Sequence, residues 1–574
     1  MRVINSCNTY AQHGLRFMVV QLILGLALAS ITIGSMANET PKRPNVLLVV
    51  ADDLGFTDLG AFGGEINTPN IDDLAKAGKR FANFSVAATC SPTRSMLLSG
   101  VDHHRAGLGN MIEHRAPNQV GQAGYEGYLN HSVVSLATLL KDAGYHTYMA
   151  GKWHLGMKSS QTPDARGFED SFVLLQGGAS HFSDKRGLVP AVPQGLYRDN
   201  GRVFETLPAD FYSSSFYTDK MIDYIDKNLK DGKPFFGYLA FSAPHWPLQA
   251  PDDYIDRYRG KYDEGYDALR RSRLEKAKQI GIVPATAEVP PMTKEIPSWQ
   301  SLTQEQKKIE SRKMEIYAAM VENIDHNLGR LLTYLKDTDN HENTFIIFMS
   351  DNGADGADRS NLPGVKDWLD TSYDQTYANM GRENSYVYYG AGWAQAGMTP
   401  LKMYKSFVSE GGIRSPAIFS HPSIANKGQI THEFASVLDI VPTVLEIAEA
   451  THPGTNYQGR DIHPLTGNSL LGFLMGEKPS LEHDAVFGWE LFGHKAIRKG
   501  QWKLLRLSSA PAWLPTPEGA NKWQLYDLSN DPGELHDVSD KNPQKLKELL
   551  GLWEQYAAEN RIITPLWDDK SDKH

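Results

Sequence analysis

Three stretches of this chain are apolar almost throughout and then turn polar at once. Asn45 to Val50 runs through Val46-Leu47-Leu48-Val49-Val50 and ends at Asp52-Asp53, Thr344 to Met349 ends at Asp351-Asn352, and Pro234 to Phe241 ends near His245. A continuous aliphatic run suits a strand covered on both faces. Helical patterns lie between these runs. One spans Val133 to Asp142, and a long one has apolar positions at Tyr317, Met320, Ile324, Leu328, Leu331 and Leu335. This alternation predicts an α/β sheet with helices on both faces, and ligands of such sheets bind at the C-terminal strand ends. The acidic residues stand where a site is expected.

The pattern changes elsewhere. Asp252 to Lys307 is polar and rich in Lys, Glu and Pro, and reads as an insertion over the surface rather than core. After Pro479 short strands are predicted, Lys495 to Leu507 and Trp523 to Leu528, followed by a helix. Asn542 can cap that helix, with Pro543 in its first turn and Leu546, Leu549, Leu550 and Trp553 as its buried stripe. A length of 574 residues exceeds what one core serves. We therefore expect a large domain over 38–479 and a smaller α+β domain over 480–574.

At the N-terminus, Arg2 and Arg16 flank a polar lead, an apolar run extends from Phe17 to Ile33, and Ser35-Met36-Ala37 is a small-x-small cleavage site. This predicts a signal peptide over 1–37, no stable membrane span after its removal, and a periplasmic or secreted protein. Of the two cysteines, Cys7 lies in that segment, leaving Cys90 alone in the mature chain. A lone thiol in an oxidising compartment is either buried or chemically used. The net charge of −10 is modest for this length and gives no support to a nucleic-acid surface.

The segment Thr89-Cys90-Ser91-Pro92-Thr93-Arg94-Ser95-Met96-Leu97-Leu98-Ser99-Gly100 favours chemical use. Pro92 suits a first helical turn, so Cys90 would stand at a helix N-terminus, where free N–H groups favour an anion. Arg94 could fork onto oxyanion oxygens, and even an unmodified thiolate here would be a plausible nucleophile.

Cys90-x-Pro92-x-Arg94 does not stand alone. It is accompanied by Val50-Ala51-Asp52-Asp53-Leu54-Gly55, Gly151-Lys152-Trp153-His154-Leu155-Gly156, Pro244-His245-Trp246-Pro247, Ser350-Asp351-Asn352-Gly353 and Lys405 before Glu410-Gly411-Gly412. In these motifs and their order the chain resembles the formylglycine-dependent sulfatases of the alkaline phosphatase-like superfamily, and bacterial arylsulfatases most closely. The resemblance spans essentially the whole mature chain. It implies a large mixed, mostly parallel sheet flanked by helices, and hydrolysis of aryl sulfate to phenol and sulfate.

The resemblance also implies that Cys90 is oxidised to formylglycine (3-oxoalanine) by a formylglycine-generating or sulfatase-maturating enzyme. One hydroxyl of the hydrated aldehyde attacks sulfur, and the second expels sulfate from the covalent sulfated enzyme, a step that serine could not perform. Asp52, Asp53, Asp351 and Asn352 are an all-oxygen set suited to calcium or magnesium. By resemblance they bind one calcium, with the modified Cys90 counted among the metal residues. Asp351 helps remove the attacking proton, Arg94 and Lys152 hold the diol and sulfate, His154 assists collapse, and His245 protonates the departing oxygen with Lys405 beside it.

Blander readings exist for each residue. Asp-Asp after a strand is commonly a turn or a cap, and lysines are usually solvated. Lys402 is near enough to be confused with Lys405, which is preferred for its spacing to Glu410-Gly411-Gly412. His103-His104 reads as structural support rather than a ligand pair, and Trp246 and Tyr404 are weak candidates for an aryl pocket. The rival functions are a phosphatase or phosphonate monoester hydrolase, and a non-catalytic binder of sulfated glycans. Of the first, many phosphatases hold two metals with several Asp and His ligands, whereas this set supplies one carboxylate-rich site and several cations. The second would not need a nucleophile, an acid and metal ligands together.

Overall fold

The computed structural model describes residues 43–362, 364–481, 485–509 and 511–567. The predicted signal peptide over 1–37, with Cys7, lies outside the described residues. Among the described residues no helix is long and apolar enough to cross a membrane.

The N-terminal aliphatic run forms β1 (Asn45–Ala51), every residue of which is buried. With it go β2 (Lys79–Ser85), β3 (His146–Lys152), β4 (Asp170–Leu174) and a separate hairpin of β5 (Arg186–Val189) and β6 (Val192–Gln194). Next come β7 (Tyr197–Asp199), β8 (Arg202–Val203), β9 (Phe235–Ala240), β10 (Thr344–Ser350), β11 (Arg414–Ser420), β12 (Ile430–Thr431) and β13 (Ala435–Ser436). Apart from the β5–β6 hairpin, these strands make one mixed sheet in the order β12-β2-β11-β10-β1-β9-β3-β4-β7-β8, with β13 also on β2.

The five central strands, β10 to β4 in that order, are parallel, whereas β11, β2, β7 and β8 join through antiparallel pairings. This is the expected α/β architecture. β1, β9 and β10 are buried at every position, which is why their sequences do not alternate. The long helical pattern is the helix Gln304–Asp337, started by a capping box between Thr303 and Gln306. The shorter one is Leu136–Asp142, capped by Ser135.

The segment expected to lie over the surface is mostly exposed or half-buried, but one side of it is anchored in the main core. Tyr254, Ile255, Tyr258, Tyr262, Tyr266, Ala277 and Trp299 are buried, with helices at Asp252–Asp256 and Tyr266–Ile280. Its composition misleads because much of its apolar area belongs to tyrosines, and because buried Arg273 is fully paired.

After a small hairpin of β14 (Asn456–Tyr457) and β15 (Arg460–Asp461), the chain forms a four-stranded antiparallel sheet. Its strands are β16 (Val486–Leu491), β17 (His494–Lys499), β18 (Trp502–Arg506) and β19 (Gln524–Asp527). Adjacent residues point to opposite faces. Ala496 and Leu505 thus join the main core, while Ile497 and Leu504 pack under Leu549 and Trp553 of the helix Pro543–Glu559. Asn542 precedes that helix without a side-chain cap and donates to Val538 O instead, while Leu546 and Leu550 are only half-buried.

Candidate active site

β1, β3 and β10 end in Asp52-Asp53, Lys152 and Asp351-Asn352, so the sheet delivers these residues to one edge. Cys90 opens the helix Cys90–Ser99, all of whose residues are buried. Ser95 and Ser99 satisfy their hydroxyls on backbone carbonyls within that helix. Gly100 ends it in a left-handed conformation at φ 66°, donating to Met96 O at 2.7 Å, as a glycine C-cap does. Gly151 is required for a different reason, since a Cβ there would lie 1.8 Å from Ala240 O on the neighbouring strand.

The Cys90 thiol lies 3.4 Å from Asp52 Oδ1 and 3.9 Å from Asp53 Oδ1. Three cations meet the carboxylates. Lys152 Nζ donates to Asp52 Oδ2 at 2.6 Å, and Arg94 holds Asp351 Oδ2 through Nε at 2.9 Å and NH2 at 2.8 Å. Lys405 Nζ lies 2.7 Å from Asp53 Oδ1 and 3.1 Å from Asp355 Oδ2. Lys402 is elsewhere, near the Tyr526 hydroxyl and Glu534 O. Arg94 and Lys152, expected on the diol and sulfate, here contact the carboxylates of the cluster.

Burial dominates the electrostatics. It raises the carboxyl pKa of Asp52 despite Lys152, and that of Asp53 to about 6 despite Lys405. At Asp351 burial acts in the same sense, but Arg94, Lys152 and Lys405 outweigh it and bring the pKa down to about 2. Burial and the charge of Asp351 push the Cys90 thiol well above its ordinary range. That opposes the thiolate expected from the helix N-terminus alone.

The oxygens of Asp52, Asp53 and Asp351 and the Cys90 sulfur offer ligand atoms within 4.8 Å of one another. Asn352 donates to Asp53 Oδ1 at 2.6 Å, while no hydrogen-bond donor among the described residues meets its buried Oδ1. A buried, carboxylate-rich oxygen set with an unpartnered amide oxygen fits a hard divalent cation. Asp53 and His154 both have left-handed backbones, at φ 69° and 55°, strain of the sort that collects at functional sites.

His245 lies 3.6 Å from Asp53 Oδ2 through Nε2, and its Nδ1 is 2.5 Å from Trp246 O. Burial lowers its pKa to about 3, with Lys405 adding to the effect against Asp53. His154 Nε2 is 3.3 Å from Glu113 Oε1. Both histidines, Cys90, Lys405, Trp246 and Tyr404 line one cavity of about 640 Å³.

Some contributors were not foreseen. Asp355 joins Lys405 and accepts from Trp246 Nε1 at 2.8 Å. Its place, four residues after Asp351 at the end of a buried strand, was a usable signal. Asp58 Oδ2 accepts from Gly55 N at 2.7 Å and the Tyr317 hydroxyl at 2.6 Å, fixing the turn that carries Asp53. His103 and His104 lie outside the cluster. His104 bridges Asp102 at 2.9 Å and Glu490 at 3.3 Å, and His103 is held by Leu108 O.

Comparison with known proteins places this geometry in context. A family model described as "Sulfatase" matches residues 44–450, and one described as "N-sulphoglucosamine sulphohydrolase, C-terminal" matches 402–557. An uncharacterized sulfatase of Schizosaccharomyces pombe is 45% identical over 536 residues, covering 91% of this chain and 95% of its own. The arylsulfatase of Klebsiella aerogenes is 38% identical over 450 residues, 78% of this chain and 95% of its own. Among solved structures, Ps i-CgsB in complex with k-i-k-neocarrahexaose matches with a TM-score of 0.64 and 26% identity, covering 92% of this chain and 94% of that one.

Proposed function

We propose that this chain, which belongs to the sulfatase family and is a sulfuric ester hydrolase, hydrolyses aryl-type sulfate esters with Cys90, as formylglycine, for nucleophile and with one calcium ion. The observation that carries this reading is the enclosure of Cys90, at a helix start, by Asp52, Asp53 and Asp351 beside an unpartnered Asn352 Oδ1. The hydrated aldehyde supplies the attacking hydroxyl and a second hydroxyl for release of sulfate. Asp52, Asp53, Asp351 and Asn352 would hold the calcium ion, which would supply positive charge against the sulfate.

The chain's own residues do the rest. Asp351, kept ionised by Arg94, is the carboxylate that takes the attacking proton. Arg94 and Lys152 hold the nucleophile and sulfate oxygens in place. His245 gives a proton to the departing oxygen, and an arriving sulfate anion beside the ring favours the imidazolium it needs. Lys405 assists there, held by Asp53 and Asp355. His154, oriented by Glu113, assists expulsion of sulfate. The enzyme would work in the periplasm or outside the cell after removal of residues 1–37, with 38–479 as its catalytic domain, 480–574 as a smaller one, and a maturating enzyme as its partner in biosynthesis.

Mass spectrometry of the active protein's Cys90 peptide tests the nucleophile, with an aldehyde expected in place of the thiol. Full activity with an intact thiol would overturn it. Elemental analysis of the same sample tests the metal. Calcium near one per chain is expected, and a zinc pair would favour the phosphatase reading.

A further inference from the structure

The cavity above Cys90 is far larger than the reacting group requires, and its outer walls differ in character from its floor. The floor carries the charged cluster. The walls carry Val189 and Val192 from the β5–β6 hairpin, Ile296, Leu362, Phe492 and Trp513. Val189, Val192, Leu362 and Trp513 are 37%, 39%, 46% and 42% exposed. Isolated exposed apolar residues are ordinary, but here separate chain segments aim them into one concavity. A volume of about 640 Å³ lies in the range that encloses a drug-sized molecule.

Some polar groups on the walls are engaged within the protein, whereas buried Thr293 Oγ1 and His154 Nδ1 meet no hydrogen-bond partner among the described residues. Gln176 donates to Gln194 O at 3.1 Å and accepts from Leu196 N at 2.6 Å. Asp358 is held by Lys313 at 3.2 Å and by Ser360, and Glu113 by His154. His114 lies flat against Trp513, with centroids 5.5 Å apart. Exposed Glu295 and half-buried Arg359 keep access to water. Against the Val189–Val192 and Phe492–Trp513 walls a sugar hydroxyl would face apolar carbon, and each unpaired hydroxyl is costly. An apolar group would displace water from apolar walls at no such cost.

We propose that the alcohol esterified in the preferred substrate is large and apolar, a long-chain or fused-ring alcohol seated between the β5–β6 hairpin and the Phe492–Trp513 wall. This goes beyond the proposed function by extending it from aryl to long-chain alkyl alcohols of the same apolar character, and it rests on the sulfate lying beside Cys90.

The test is calorimetric titration of the full chain with n-alkyl sulfonates from butyl to dodecyl, below their micellar concentrations. Their carbon–sulfur bond is not hydrolysed, so binding is read apart from catalysis. Kd should fall about 3- to 4-fold per methylene buried. A Kd that stays constant beyond butyl overturns the proposal. Trp513→Ala should flatten the series, and Val189→Asp, on an exposed hairpin position, should do so without opening a core. If neither variant changes the slope, the proposal is overturned. In turnover, kcat/KM for dodecyl sulfate should exceed that for galactose 6-sulfate by at least about tenfold, the gain expected from burying two methylenes. The reverse order overturns the proposal. Chain-length-dependent sulfonate binding by a protein that hydrolyses no sulfate ester would support the apolar subsite while refuting the hydrolase reading.

Discussion

Replacing Arg273 by methionine separates the support of the site from its chemistry. Arg273 is 1% exposed and comes from the helix Tyr266–Ile280, far in sequence from the groups it holds. Its guanidinium takes Asp58 Oδ1 at 2.5 Å and Glu65 through Nε at 2.8 Å and NH2 at 2.9 Å. Methionine fills similar volume, so the cost is electrostatic. Glu65 has a side chain 34% exposed and can turn to water, whereas the Asp58 side chain is fully buried and cannot. Breaking a buried pair from one side costs about 3–5 kcal/mol. Asp58 keeps Gly55 N and the Tyr317 hydroxyl on its other oxygen, which places the expected loss at the lower end, about 3 kcal/mol. Arg273→Met with Asp58→Asn removes the stranded charge while an amide oxygen can still accept from Gly55 and Tyr317. That double variant should recover about half of the loss. Because the Asp58 turn carries Asp53, affinity for the proposed calcium should also weaken in the single variant, by about 10- to 100-fold as for lost support of metal ligands. Urea unfolding of the four proteins of the cycle, with calcium titration of each, provides the readout. A single-variant loss under about 1 kcal/mol, or strict additivity of the two changes, would refute the reasoning.

Other outcomes follow from the same geometry. Cys90→Ser should allow at most slow sulfation with no release of sulfate, read by comparing a phenol burst with free sulfate; steady sulfate release from the variant would count against the diol. His245→Ala should lose about 10²–10⁴-fold on esters of poor leaving groups and much less on nitrophenyl sulfate, measured in single turnovers over graded phenols; an equal loss for all would leave His245 as a sulfate-binding residue. At His104 burial alone would lower the pKa, but the hydrogen bonds its ring donates to Asp102 and Glu490 outweigh it and raise it to about 9. A pKa raised on folding stabilises fully below the unfolded value of about 6.5 and is lost as pH rises through about 9, so the stability gap between wild type and His104→Gln should shrink between pH 6 and pH 9.5.

Much of the sheet could be read from the sequence because its central strands are buried on both faces, and full burial leaves an unbroken aliphatic run. β1, β9 and β10 were bounded to within a residue or two for that reason. The site motifs were legible because each is short and ends a strand or opens a helix, so that the positions of Asp52, Lys152 and Asp351 follow from local pattern plus a parallel sheet. What failed was long-range and polar. Asp58, Tyr317 and Arg273 lie more than two hundred residues apart at the extremes, and each is ordinary in its own neighbourhood. A buried arginine in a Lys- and Glu-rich helix looks the same in sequence as a solvated one. Only the carboxylates that it meets make it part of the core.

The same logic explains why the C-terminal sheet matters to a site it does not line with charge. Lys503 of β18 is fully buried, 2.8 Å from Glu410 Oε1 and 2.8 Å from Glu534 Oε1, and Glu534 Oε2 accepts from Glu410 N at 2.9 Å. Glu410 is held from its other side by Arg414. The turn that runs from Lys405 to Glu410 is fixed at its start by hydrogen bonds from Lys405 N to Ala354 O and Ser406 N to Ala88 O, and at its end by this charged cluster. Lys405 is thus anchored at one end to the strand end bearing Asp351 and to the residues before Cys90, and at the other to β18. A buried ion cluster adds little net stability, but it tolerates few alternative arrangements. Placed here, it sets the position of an ammonium that must lie between Asp53 and Asp355, because the segment from Lys405 to Glu410 is held at both ends.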